Sequence, residues 1–297
     1  MITFKIETPE GASPMAMPRG VFAGARSFTD VRYSDAHEKN LLDVYLPETG
    51  GGPFPVMIFM HGGAYVGGDK NDMQIGVVAD ALNRGYALVS VEQRLLPDGL
   101  FPYPLFDFKA AIRFLRANAG AYMLDESKFV TSGASAGAYH AVMAAATQDI
   151  PAFEDLSMGS AEASSRVAAT IGFYGVYDLI MQSKFTNDAP PMMPGAPVFD
   201  FAAMFLGVDP REKPELAYFA DPTNFVTGKM PPTLLQAGTA DEVVPTPASI
   251  ALAERIRAVC GDGRVQLDLL EGAAHGDPRF NGKENQDKIF GWLEGVL

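Results

Sequence analysis

Apolar residues in this chain fall into short unbroken runs, and amphipathic stretches separate them. Pro55-Val-Met-Ile-Phe-Met60 and Tyr86-Ala-Leu-Val-Ser-Val91 are apolar almost throughout, the pattern of strands buried on both faces of a parallel sheet. Val167–Tyr174, Pro232–Gln236 and Val265–Leu270 read the same way, as does the run Phe129–Thr131. Phe28–Tyr33 and Leu41–Leu46 instead alternate apolar and polar positions around a turn, which predicts a pair of edge strands. Between the strands, residues 71–84 read as a helix closed by Gly85, and residues 105–118 place Phe108, Ala111, Ile112 and Leu115 near helical spacing before Gly120. Further helices are expected at 138–147, 246–259 and 284–293. Residues 1–27, rich in Pro, Gly and Ala, read as an irregular arm. Strands alternating with helices predict an α/β protein with a mostly parallel sheet and right-handed crossovers, its ligands bound beyond the carboxyl ends of the strands. With no internal repeat in view, the 297 residues read as one domain.

Candidate chemistry clusters after those strand ends. Phe129–Thr131 leads into Gly133-Ala-Ser-Ala-Gly137 and then a small-residue helix: G-x-S-x-G in a strand–turn–helix setting, the arrangement of a nucleophile elbow. A Gly/Ala-rich strand–helix junction would look alike, so Ser135 needs partners. A serine hydroxyl becomes a nucleophile at neutral pH only with a base in hydrogen-bond reach and a carboxylate to orient that base. Of four histidines, His37 lies in the turn between the early strands, and His61 opens a glycine loop in a backbone-organising position. His140 lies on the helix after the elbow, facing away from it. His275, in the small-residue loop Glu271-Gly-Ala-Ala-His-Gly-Asp277, is left as the base. Asp241, in Gly238-Thr-Ala-Asp241, is the favoured carboxylate. Glu242 is the alternative, or else serves the following helix N-terminus, and Asp277 is close enough to His275 to order its loop instead. The order Ser135, Asp241, His275 is that of α/β hydrolases. After Met60, His61-Gly-Gly-Ala-Tyr-Val-Gly-Gly-Asp-Lys70 supplies backbone N–H groups that, with that of Ala136, can receive a tetrahedral oxyanion. The loop lacks the Lys-Ser/Thr pair of a phosphate-binding loop, and the scattered histidines point to no metal.

Composition narrows the partners. Lys+Arg 23 against Asp+Glu 36 gives a formal net charge of −13, which disfavours nucleic acid and anionic membranes. The one cysteine, Cys260, forbids an intramolecular disulfide and reads as a structural thiol. No apolar run approaches 18 residues and no signal pattern opens the chain, so a cytoplasmic protein is expected. Nothing in the sequence sets the oligomeric state.

Leu42-Asp-Val-Tyr-Leu-Pro47, His61-Gly-Gly-Ala64, Gln93-Arg-Leu-Leu-Pro97, Gly133–Gly137, Gly238–Asp241 and His275-Gly276 together resemble the α/β-hydrolase fold esterases of the hormone-sensitive-lipase-like and bacterial feruloyl/acetyl esterase type. The resemblance implies a mostly parallel central sheet flanked by helices, a Ser135–Asp241–His275 triad, an oxyanion hole from Gly63, Ala64 and Ala136 on a turn shaped by Gly62, and no cofactor. It departs at Ala64, where a third glycine or a bulky aromatic is common, and at Gln93, where tyrosine is usual. Residues 179–210 form a long Met/Phe-rich connection, either core packing or a small cap over the site. Met192, Met193, Phe201, Phe205 and the loop residue Tyr65 are its candidate substrate-pocket residues. The expected activity is hydrolysis of a small acyl or aryl ester, on an acetylated or feruloylated carbohydrate or a simpler alcohol. An amidase of arylformamidase or peptidase type, and a non-catalytic hydrolase-fold binding protein, are the alternatives.

Overall fold

The computed structural model describes residues 1–8, 19–189 and 198–297. In chain order the strands are β1 (Thr3–Glu7), β2 (Arg19–Ala23), β3 (Arg26–Arg32), β4 (Leu41–Leu46), β5 (Phe54–Met60), β6 (Ala87–Val91), β7 (Leu124–Ala134), β8 (Ala169–Phe173), β9 (Thr233–Gly238) and β10 (Val265–Leu270). The α-helices are α1 (Tyr103–Ala117), α2 (Ala136–Ala146), α3 (Leu179–Asp188), α4 (Phe201–Leu206), α5 (Pro214–Phe219), α6 (Thr246–Cys260) and α7 (Lys283–Val296). Eight strands form one sheet in the order β10-β9-β8-β7-β5-β6-β4-β3. From β10 through β6 every pairing is parallel, while β4 runs antiparallel to both β6 and β3. This is the α/β-hydrolase fold.

Side-chain alternation in the central strands divides the core into two layers. Val56, Ile58 and Met60 of β5 face a cluster built with α1, α2 and α6, whereas Met57 and Phe59 face one built with α7 and residues 73–84. The continuous apolar runs are therefore buried on both faces, as expected of parallel strands under two helical layers. Every residue of α2 is buried, which its run of alanines allows.

Three expectations need correction. The early strands are not an edge pair: of the two, β3 lies at an edge of the sheet and β4 is interior, with Leu42, Val44 and Leu46 fully buried. Within the stretch expected to be an irregular arm, β1 and β2 pair in a small antiparallel sheet. Burial drives that pairing: Ile2 and Phe22 enter the second core cluster, and the Asn83 side chain bonds both the N–H and the carbonyl of Ile2. Finally, Met73–Arg84 is a 3-10 helix kinked at Val78, closed by Gly85 in the left-handed region. Cys260 is half-buried, with its thiol 3.1 Å from the Thr227 carbonyl. No described helix is long and apolar enough to cross a membrane.

Candidate active site

β7 delivers Ser135 to the rim, and the turn into α2 holds it at φ 54°, ψ −120°. A non-glycine residue at positive φ costs on the order of 1–3 kcal/mol, so surrounding packing must impose the conformation. Gly137 shows how tight that packing is: a Cβ there would lie 2.5 Å from the His61 carbonyl oxygen and 2.6 Å from the Met60 carbonyl carbon. The first turn of α2 therefore rests directly on the backbone that leaves β5. Ala136, the residue after Ser135, opens α2, so its N–H is one of those a helix N-terminus leaves without an intrahelical partner.

Beyond β9, Asp241 accepts the Val243 and Val244 N–H groups on Oδ1, both at 2.8 Å, which fixes the carboxylate. Its Oδ2 lies 2.8 Å from Nδ1 of His275, which follows β10. Nε2 of the same imidazole is 3.1 Å from Ser135 Oγ. With Asp241 accepting from Nδ1–H, Nε2 is the acceptor for the serine proton. Asp241 is almost fully buried, His275 is one-fifth exposed, and Ser135 is half-buried. The Tyr174 ring packs edge-on against the imidazole at 4.8 Å and braces the face that the hydrogen bonds leave free.

The other carboxylates and histidines lie elsewhere. Glu242 is exposed. Asp277 caps the 3-10 turn at 278–281, and Arg279 beside it holds its carboxyl well below the usual range. His37 accepts the Lys39 N–H on Nδ1, with Asp98 3.6 Å from Nε2. His140 is buried among Tyr65, Tyr139 and Phe205, and burial pushes its pKa down to about 3, so it is neutral.

His61 organises the glycine loop that follows β5. Its Nδ1 is 2.7 Å from the Gly62 carbonyl oxygen, which belongs to the peptide that carries the Gly63 N–H. Because C=O and N–H point oppositely across a trans peptide, holding one aims the other. Glu92 stands 3.6 Å from His61 Nε2, an ion-pair distance longer than a hydrogen bond. Burial works against charge on this imidazole, yet the Glu92 carboxylate outweighs it and raises the pKa. At the far end of the loop, Lys70 pairs with Asp43 at 2.9 Å and Asp30 at 3.0 Å, and its N–H donates to Glu92. Gly62 has no amide to offer an oxyanion, since its N–H donates to Gln74 Oε1 at 3.1 Å. Gly63, Ala64 and Ala136 remain as the candidate donors.

The candidate pocket residues are arranged otherwise than expected. Tyr65, Phe201 and Phe205 are buried in one aromatic cluster, with the Tyr65 and Phe205 rings stacked at 3.8 Å. They are packed against one another in the core instead of lining an open cleft. Met192 and Met193 lie outside the described residues. The described flanks of the 179–210 connection are tied into the fold: Gln182 of α3 donates to the Val243 carbonyl at 2.9 Å, and the Phe205 carbonyl of α4 accepts the Phe101 N–H at 3.0 Å. Gln74, Tyr174 and Glu92 were not singled out from sequence. Each reaches the site from another element, and only the helix-capping Asp72 beside Gln74 left a local trace.

The BD-FAE family model matches residues 42–256. Esterase LipC of Mycobacterium tuberculosis (strain ATCC 25618 / H37Rv) is 31% identical over 77% of this chain and 55% of its own length. Esterase LipQ of the same bacterium is 29% identical over 84% of this chain and 57% of its own. The chain thus spans about half the length of the curated relatives it matches. Among solved structures, a truncated form of a carbohydrate esterase from gut microbiota superposes with a TM-score of 0.79 at 25% identity, covering 91% of this chain and 96% of that one.

Proposed function

Because the chain belongs to the BD-FAE family, we propose that it is a serine carboxylesterase acting through an acyl-enzyme. The observation that carries this reading is His275, whose imidazole bridges Ser135 at 3.1 Å and Asp241 at 2.8 Å. Ser135 Oγ attacks the ester carbonyl as His275 Nε2 takes its proton, and Asp241 stabilises the imidazolium and fixes its orientation. The negative charge that develops on the carbonyl oxygen meets the N–H groups of Gly63, Ala64 and Ala136. His275 returns the proton to the departing alcohol, and water then releases the acyl group by the same steps in reverse.

Two observations bear on the substrate. Tyr65 directly follows Ala64 and is buried in a stack with Phe205, and this aromatic packing next to the loop favours a short acyl group. The similarity to a carbohydrate esterase favours an acetylated or feruloylated sugar as the alcohol component. A series of p-nitrophenyl esters of increasing acyl length, run beside acetylated xylan and methyl ferulate, tests both points. Highest kcat/KM at acetyl with release of acetate from xylan is expected. A preference for long acyl chains, or faster turnover of a formyl-aryl amide than of any ester, would overturn the assignment.

A further inference from the structure

Resting on the esterase reading above, we propose that Gln74 is a positioning residue for the oxyanion loop, acting through Gly62. The loop backbone needs outside support. Gly62 and Gly63 follow one another, Gly63 sits at φ 111°, and neither has a side chain to restrict rotation. An oxyanion donor must nevertheless point in one fixed direction before charge develops. His61 holds the peptide between Gly62 and Gly63 by its carbonyl. The preceding peptide, between His61 and Gly62, is held by Gln74, whose Oε1 accepts the Gly62 N–H at 3.1 Å. With both planes fixed, the direction of the Gly63 N–H is determined.

The contact is close and anchored from behind. A Cβ on Gly62 would lie 2.6 Å from Gln74 Oε1, 2.7 Å from the Ala134 carbonyl oxygen and 2.9 Å from Ser135 Cβ. Gln74, the end of β7 and the serine residue therefore converge on one α-carbon. The Gln74 backbone is anchored, because its own N–H donates at 2.9 Å to Oδ1 of Asp72, the buried residue that caps the 3-10 helix, so its side chain reaches Gly62 from a fixed α-carbon. The Asp72 cap thus sets Gln74, Gln74 sets Gly62, and Gly62 sets the donors that face Ser135. Gln74 itself touches no reacting atom.

The test compares the wild-type chain with Gln74→Met, which keeps length and bulk but removes the acceptor, and with Gln74→Asn, which withdraws it by one methylene. For p-nitrophenyl acetate, kcat should fall about 10²-fold in both, as a displacement on the order of 1 Å in a positioned group costs, with KM unchanged. The Ki of a trifluoromethyl ketone, whose adduct with the serine carries the oxyanion, should rise by the same factor. Melting temperatures should stay near the wild type. If either folded variant keeps the wild-type kcat and Ki, or loses KM in place of kcat, the positioning role is wrong. If the wild-type chain itself hydrolyses no ester and binds no ketone, the esterase reading fails instead, and the two failures are separable.

Discussion

Gly137→Ala tests the seat of the nucleophile. The added methyl would lie 2.5 Å from the His61 oxygen, 2.6 Å from the Met60 carbonyl carbon and closer still to the Met60 oxygen, whereas ordinary contacts begin near 3.4 Å. Relief needs a relative shift of about 1 Å between α2 and the end of β5, and no flexible side chain can absorb it because these neighbours are all backbone. Overpacking of this kind costs about 1–3 kcal/mol. At an unfolding entropy of roughly 2.1 cal/mol/K per residue, the 297-residue chain would lose about 2–5 °C in melting temperature. The catalytic loss should exceed what that fall suggests. The same shift separates Ser135 and Ala136 on one side from His61 and its loop on the other, and about 10²-fold in kcat is expected. Circular dichroism melts and p-nitrophenyl acetate turnover, measured on the same preparation, decide it. A variant with wild-type kcat and melting temperature would refute the claim that this contact sets the elbow.

Asp241→Asn leaves His275 free to take the wrong tautomer, so kcat should drop about 10⁴-fold with KM little changed; a loss below tenfold in the same ester assay would remove Asp241 from its role. Glu154 is the anion shared by fully buried Lys109, at 3.2 Å, and Arg113. Glu154→Gln should cost about 3 kcal/mol, a fall of about 5 °C in melting temperature, without changing kcat per folded molecule. Glu92→Gln should show a pH signature. The folded pKa of His61 is raised, so its contribution to stability is full below the unfolded value of about 6.5 and fades as pH rises through the folded value. Glu92 is lowered because the His61 interactions outweigh its burial, and its share is lost only as pH falls through its folded pKa. The difference in melting temperature between wild type and variant should be widest between about pH 5 and 6 and shrink towards pH 9; a gap independent of pH would break the pairing.

Much of the fold was legible because the central strands carry no polar face. β5, β6, β8 and β9 are buried on both sides, and such runs stand out from any alternating pattern. The positions of Ser135, Asp241 and His275 were legible for a related reason: each follows a strand, and parallel strands bring their ends to one rim. What escaped depended on contacts between distant parts of the chain. The β1–β2 sheet forms because Ile2 and Phe22 find a hydrophobic layer made by α7 and residues 73–84, which no local pattern announces. Gln74 looks like any polar residue on a helix until its oxygen meets Gly62. Tyr65 and Phe205 read as pocket walls from their aromatic character, yet aromatic rings on neighbouring elements gain more by stacking together than by facing water.

An activated Ser135 is the nucleophile of the proposed reaction. Treating the chain with a p-nitrophenyl organophosphonate and measuring intact mass tests it most directly. One phosphonyl group per chain is expected, mapped to the peptide containing Ser135, with loss of ester hydrolysis in step with labelling and no label on Ser135→Ala. Labelling at another residue, or full activity in Ser135→Ala, would contradict it.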